Sequence, residues 1–247
     1  MEKVVLVCEK KEYEEICIRL SKELDIKCVD NVTDAEDNLR LFYTAEGLSL
    51  GKGNMLLKAD FSDLYSRIKG NRLYSELLIK AVGKKNRSED TVILDATAGL
   101  GEDSFLLAAA GYKVKMFEKD RIIAKLLEDG LKRAYDISGM AEIIDRMELI
   151  REDSICAMEN NSFEPDIVYL DPMFPQREKS GLIKKKFQIL QQLESPCDEE
   201  EKLLNAALKT GAKKIIIKRP LKGAYLAGVK PGYSLKGRAI RYDCISR

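Results

Sequence analysis

"TVILDATAGLGEDSFLLAAAG", Thr91 to Gly111, is the stretch on which the fold turns. Its first part is apolar, Val92 to Leu94, and ends on an acid, Asp95. Small residues follow, Ala96 to Gly101, and a largely apolar run from Glu102 to Ala110 reads as a helix that Gly111 stops. A buried strand, a glycine turn and a helix in immediate succession form the first part of a parallel strand–helix–strand unit. Glycines let a backbone come close to a bound group, and the N-terminus of the helix offers unpaired N–H groups.

The same rhythm continues downstream. "KVKMFE" (Lys113–Glu118) reads as a strand, and "RIIAKLLEDGLKRAYD" as a helix interrupted by Gly130. "MELIRED" (Met147–Asp153) and "DIVYLD" (Asp166–Asp171) are the third and fourth strands, and "SGLIKKKFQILQQL" is a helix. "AKKIIIKRP" (Ala212–Pro220) is a fifth strand, and "GRAIRYDCIS" closes the chain as an edge strand. Such alternation predicts an α/β fold, a parallel sheet with helices on both faces. Upstream the pattern differs. "KVVLVC" reads as a strand, and Tyr13, Ile16, Leu20 and Leu24 recur at helical spacing. Short apolar pieces with Gly47, Gly51 and Gly53 between them then suggest hairpins. We therefore expect a small α+β lobe over residues 1–88, ended by the polar "GKKNRSED", and a Rossmann-like domain over 89–247.

Composition narrows the chemistry. Hydrophobic residues make up 45 % and charged residues 34 % of the 247-residue chain, as in soluble globular proteins. No apolar run approaches the ~18 residues of a membrane helix, and the N-terminus lacks the pattern of a signal peptide, so a cytoplasmic protein is expected. The six cysteines form no C-x-x-C pair and there is no histidine, so no metal site is expected. The missing histidine also excludes the usual nucleophile–base arrangements. Carboxylates, lysines, backbone groups or a cofactor must carry the chemistry. The net charge of +1 is uneven: residues 176–247 hold 17 Lys and Arg against 7 Asp and Glu, and the rest hold 25 against 34. One end should be electropositive and suit a polyanion.

The acids at the strand ends are the second signal. "Gly99-x-Gly101" in the first turn resembles a dinucleotide fingerprint without its third glycine, where Ser104 stands. Glu118 ends the second strand 17 residues after Gly101, at the spacing of an acid that accepts ribose hydroxyls. Asp153, followed by Ser154, ends the third strand and is placed to accept from an adenine amine or, equally, to cap a helix. Asp171 ends the fourth in "VYLDPMFPQ". In an open α/β sheet, ligands bind beyond the carboxyl ends of the strands where the strand order reverses. If the first and fourth strands are neighbours there, Asp95–Gly101 and Asp171–Pro175 face one crevice. Pro172 stiffens the turn after Asp171. The Asp171 carboxylate with nearby carbonyls then forms a fixed acceptor array suited to an exocyclic amine, and Phe174 offers a ring on which a base stacks. An amine held this way can aim its lone pair at an electrophilic methyl group, so positioning does most of the catalysis.

Taken together, "DATAGLGEDSF", "FEKD", "LDPMFP" and "KRP" resemble the class I S-adenosylmethionine-dependent methyltransferases. "LDATAGLGEDSFLLAAAGYKV", "VYLDPMFPQREKS" followed by "LIKKK", and "KRP" are similar to the RsmJ family of small-subunit (16S) ribosomal RNA guanine-N2 methyltransferases, over roughly residues 45 to 245. The resemblance implies a small N-terminal lobe before a Rossmann-like methyltransferase sheet, and S-adenosylmethionine as cofactor. It implies cofactor contacts at Glu102, Asp103, Glu118, Lys119, Asp153, Ser154 and Asp171, beside the loop of Asp95, Gly99 and Gly101. It makes Asp171, Pro172 and Phe174 the catalytic set, and ribosomal RNA or the small ribosomal subunit the partner. Two segments depart from the family: "YSRIKGNRLYSE" (Tyr65–Glu76) stands for a more basic, glycine-rich segment, and "KGRAIRYDCI" for a tail that usually carries a histidine.

RNA phosphates are expected on the basic run Lys213–Arg241, with Lys218, Arg219, Lys236 and Arg238 as contacts and Lys184–Lys186 either joining them or forming the wet face of a helix. Other readings of the same residues stay open at this point. They are transfer to adenine N6 or a protein amide, a nicotinamide dehydrogenase, and a non-catalytic RNA-binding protein.

Overall fold

Residues 4–31, 38–83, 90–160, 163–173, 189, 193 and 199–247 are described by the computed structural model of the chain. The deciding stretch folds as expected. Val92–Asp95 is strand β6, and Glu102–Ala109 is a helix. Gly111 follows that helix at φ +99°, a conformation glycine adopts without strain.

Two sheets result. The first contains β1 (Val4–Val7), β2 (Cys28–Val29), β3 (Leu39–Thr44), β4 (Gly47–Lys52) and β5 (Met55–Leu57), in the order β2-β1-β3-β4-β5. Helix α1 (Glu14–Leu24) covers it through Cys17, Leu20 and Leu24. The segment after it forms three short helices, α2 (Tyr65–Ile68), α3 (Arg72–Ser75) and α4 (Leu77–Val82), before β6. The stretch Glu102–Ala109 is α5. Then come β7 (Lys113–Phe117), α6 (Arg121–Tyr135), α7 (Ala141–Ile144), β8 (Met147–Ile150), α8 (Ser154–Glu159) and β9 (Ile167–Leu170). Helix α9 (Glu200–Lys209) precedes β10 (Lys214–Pro220), β11 (Tyr233–Lys236) and β12 (Ile240–Ser246). Of the helix expected over Ser180–Leu193, only Ile189 and Leu193 lie among the described residues. Both are helical and pack with the first sheet's apolar residues.

The second sheet runs β11-β12-β10-β9-β6-β7-β8. Strands β6 to β10 are parallel to one another, and β12 is antiparallel to both its neighbours. β6 therefore lies between β7 and β9, and the strand order reverses there. The first and fourth strands of the alternating pattern are neighbours, as the crevice requires.

Two expectations are corrected. The chain does not close on an edge strand, because Tyr233–Lys236 pairs outside β12. Residues Arg241 to Cys244 are accordingly buried, and the edge belongs to β11. Gly130 does not interrupt α6, which is continuous from Arg121 to Tyr135. A Cβ there would stand 2.5 Å from the Ala59 Cβ and 2.9 Å from its carbonyl oxygen, so the glycine is where the N-terminal chain meets the helix. Residues 61–82 and the first sheet pack into different cores. Phe61, Leu64, Leu73, Leu78, Ile79 and Val82 share a core with Ile93, Phe105, Ile216 and Tyr242 of the second sheet. Phe61 stacks on Phe105 with ring centres 5.0 Å apart. Leu6, Leu41, Leu50 and Leu57 form the first sheet's own core with Ile122 and Leu126 of α6. The opposite side of α6, Leu127 and Ala134, faces the large core, so one amphipathic helix is shared by both.

Candidate active site

The carboxyl ends of β6, β7 and β9 converge on the loop Ala96–Gly101. Asp95 is 1 % exposed. Its Oδ2 accepts from the Ser104 hydroxyl at 2.5 Å and its Oδ1 from the Thr97 N–H at 3.0 Å. Burial pushes its pKa up to about 7, against the pull of those two donors, with Asp103 and Asp171 nearby adding to the rise. The Thr97 hydroxyl accepts the Asp171 N–H at 2.6 Å, so the turn after β6 is tied to the end of β9. Gly99 and Gly101 have φ of +54° and +78°. At Gly101 the conformation demands glycine, and a Cβ would also stand 2.7 Å from Leu127 Cδ1, at the tip of that side chain. Gly99 has open space where its Cβ would lie, on a loop facing the crevice.

Glu118, directly after β7, is 5 % exposed. Its Oε2 accepts the Gly99 N–H at 3.0 Å and its Oε1 the Asp120 N–H at 2.8 Å. A carboxylate is an acceptor, the chemistry that a ribose hydroxyl requires. Asp153 is the N-cap of α8: its Oδ1 accepts from Ile155 N at 2.8 Å and Cys156 N at 3.3 Å. Its Oδ2 lies 3.6 Å from the exposed Lys119 ammonium, and Ser154 beside it is buried. Of the two readings for Asp153, capping is present in the structure, and one oxygen remains outward. Glu102 is exposed in the first turn of α5.

Asp171 follows β9, with Pro172 after it. Phe174, the expected stacking ring, lies outside the described residues, as do Pro175 and Lys184–Lys186. The Asp171 carboxylate is not alone. Lys218 Nζ lies 2.9 Å from its Oδ2 and 2.6 Å from Asp103 Oδ2, and the Tyr169 hydroxyl donates to the same Asp103 oxygen at 2.6 Å. Burial raises the Asp171 pKa and Lys218 only partly offsets it, so this carboxyl sits above the usual range. Burial also acts on Asp103, but Lys218 and Tyr169 prevail and hold it below that range.

Two of the expected RNA contacts are paired within the protein. Lys218, about a quarter exposed, is held between two carboxylates that balance its charge. Arg219 is 4 % exposed. Its Nε donates to the Ala224 carbonyl at 2.8 Å and its Nη1 to Glu200 at 3.1 Å. Alternation along β10 turns adjacent residues to opposite faces, and both faces of this interior strand are covered. Lys236 and Arg238 are exposed, on and just after β11, as the electropositive end requires. Reading the sequence alone missed Thr97, Ser104 and Tyr169. Tyr169 had a signal: it precedes Asp171 by two positions and so shares its face of the strand.

The acceptors at these strand ends match the chemistry of S-adenosylmethionine. Its ribose hydroxyls, adenine amine and ammonium are donors, its sulfonium is cationic, and the strand ends present acids. Among the described residues no cluster of His, Cys, Asp or Glu could hold a metal, and no helix is long and apolar enough to cross a membrane.

Comparison with known proteins agrees with this geometry. Residues 23–246 match a family described as "Putative SAM-dependent methyltransferase". The chain is 38 % identical over 219 residues to ribosomal RNA small subunit methyltransferase J of Pseudomonas savastanoi, covering 85 % of this chain and 80 % of that one. Its counterpart in Pseudomonas aeruginosa is 44 % identical over 169 residues, 68 % of this chain and 64 % of the relative. A crystal structure of a SAM-dependent methyltransferase from Neisseria gonorrhoeae superposes with a TM-score of 0.75 at 28 % identity, over 98 % of this chain and 95 % of that one.

Proposed function

Since the chain belongs to the S-adenosylmethionine-dependent methyltransferase family that includes ribosomal RNA small subunit methyltransferase J, we propose that it methylates the exocyclic N2 of a guanine in small-subunit (16S) ribosomal RNA. The observation that carries this reading is the Asp171 carboxylate. It stands at the end of β9, tied through Thr97 to the loop after β6 and open enough to meet a substrate amine. The seven-stranded mixed sheet beneath it is typical of class I methyltransferases.

The bound cofactor supplies an electrophilic methyl group. The protein supplies position. Glu118 accepts the ribose hydroxyls, with Asp153 and Lys119 beyond it toward the adenine end. Gly99 and Gly101 let the loop lie close. Asp171 accepts one N–H of the guanine amine, and the Pro172 turn holds that carboxylate in place. The nitrogen lone pair is then directed at the methyl carbon, and holding the reactants in line supplies most of the rate. With the cofactor bound, the S–CH3 bond would break as N–C forms, the sulfur keeping the electron pair and leaving as a neutral thioether, and the proton lost by the amine would pass to the Asp171 carboxylate. Lys236 and Arg238 bind phosphates of the same RNA.

The test is transfer of labelled methyl to naked small-subunit RNA and to assembled small subunits, followed by nucleoside digestion and mass spectrometry. N2-methylguanosine is expected, and Asp171→Ala should abolish its formation in a folded protein. Label on adenine or on protein would replace the acceptor, and full turnover by Asp171→Ala would remove the proposed role of the carboxylate.

A further inference from the structure

The cluster around Lys218 has no part in the reaction as derived so far. The parallel register of β9 and β10 pairs Leu170 with Ile217, so Lys218 stands beside Asp171 at the strand ends. Its ammonium bridges Asp171 Oδ2 at 2.9 Å and Asp103 Oδ2 at 2.6 Å. Tyr169, one alternation back on β9, donates to the same Asp103 oxygen. Tyr242, the partner of Lys218 across β12, lies behind with its ring centre 6.5 Å from that of Tyr169. One ammonium thus serves two carboxylates, and the phenol takes up part of the charge on the one that is not at the substrate.

We propose that Lys218 is a positioning residue for methyl transfer: held by Asp103 and Tyr169, it fixes the orientation and charge of the Asp171 carboxylate that receives the target amine. The inference rests on the role of Asp171 given above and adds to it the device that keeps the carboxylate usable in a buried site. Two partly buried acids that share one cation resist joint ionisation without it. The other groups facing the pair are Asp95 from β6, Arg219 from β10 and Tyr242 from β12. Arg67 acts on Asp103 from α2, and Glu76 acts on Tyr242. Among the described residues, Lys218 is the cation in ion-pair contact with the Asp171 carboxylate.

The experiment is the pH dependence of single-turnover methyl transfer with cofactor saturating, alongside the cofactor dissociation constant. In the unmodified enzyme the rate rises with pH as Asp171 ionises. Lys218→Met should lower the rate about 100-fold at neutral pH, the scale of a misplaced reacting group, and move the rising limb to higher pH so that part of the rate returns in alkali. Lys218→Arg should restore the limb. Tyr169→Phe should move it the same way by less, because Asp103 then draws more strongly on the lysine, and this milder variant also serves if Lys218→Met does not fold. A lysine that only braced the strands would lower stability and leave the limb in place. An unmoved limb in both Lys218→Met and Tyr169→Phe, or in Tyr169→Phe alone if Lys218→Met is unfolded, overturns the proposal. If Asp171→Ala is itself active, the underlying role of Asp171 fails instead.

Discussion

Asp95 carries the most informative single titration in the molecule, because its pKa is pushed up to about 7 from 3.8 by burial. Its proton is bound more tightly in the folded chain than in the unfolded one. Its contribution to stability is therefore full below the unfolded pKa and is lost as pH rises toward 7. Asp95→Asn removes the titration, so the variant should gain on the parent by about 2–3 kcal/mol between about pH 5 and about pH 8. Urea unfolding at the two pH values measures this, and parallel stability curves would show that Asp95 stays ionised throughout. Glu118 acts through its contacts, accepting two backbone N–H groups. Glu118→Ala removes the acceptors proposed for the ribose and also releases the Gly99 N–H. With each hydrogen bond to a charged group worth about 1.5–3 kcal/mol, cofactor affinity should fall by at least 10-fold. Calorimetric titration with the cofactor decides it, and an unchanged dissociation constant would refute the ribose assignment.

At the level of elements, α6 shows what a sequence pattern conveys and what it omits. Its 3.6-residue periodicity marks a helix, and so it is, but Gly130 looks like a break only because propensity counts the residue in isolation. Its reason lies 71 positions upstream, at Ala59. Gly130→Ala poses two opposed effects. Better helix propensity favours it by about 1 kcal/mol. Overpacking against the Ala59 side chain and carbonyl opposes it by about 1–3 kcal/mol. The contact at 2.9 Å is to backbone, which cannot rotate away, so the variant should be destabilised, by about 1 kcal/mol net. A stabilised variant in chemical denaturation would mean that the N-terminal chain yields. The same limit explains the other misreadings. The β6–β9 crevice was legible because each strand announces its own end with an acid. β11 was not, because four residues beside a turn carry little periodicity and their pairing with β12 is decided by the hairpin. Lys218 looked like a phosphate contact because its partner Asp103 is 115 residues away in sequence, and only packing joins them.

Over the whole molecule, charge is divided by depth as well as by end. Nine basic residues and no acid lie between Lys213 and Arg241. Lys213 pairs with Asp166 at 2.7 Å, and Lys214 donates to the Ala81 and Val82 carbonyls. Lys218 and Arg219 are held as described, and Arg241 is buried against Asp243 at 2.9 Å. Lys222, Lys230, Lys236 and Arg238 are exposed. Position separates them further from the paired set. Pro220 pairs with Ile240 and Lys236 with Arg241, so the turn holding Arg238 stands at the crevice end of the sheet, while Lys213 precedes β10 at the other end. Only cations that meet phosphates release counterions, so the dependence of RNA affinity on salt separates the two ends. Replacing Lys236 and Arg238 together by alanine should flatten the slope of log affinity against log salt by about 1.4, at about 0.7 per phosphate contact on a single strand. Lys213→Ala should leave the slope unchanged. Filter binding across a salt series measures both. Equal flattening by the two variants would mean that the RNA is drawn by diffuse charge, and the crevice end would lose its claim to be where the strand lies.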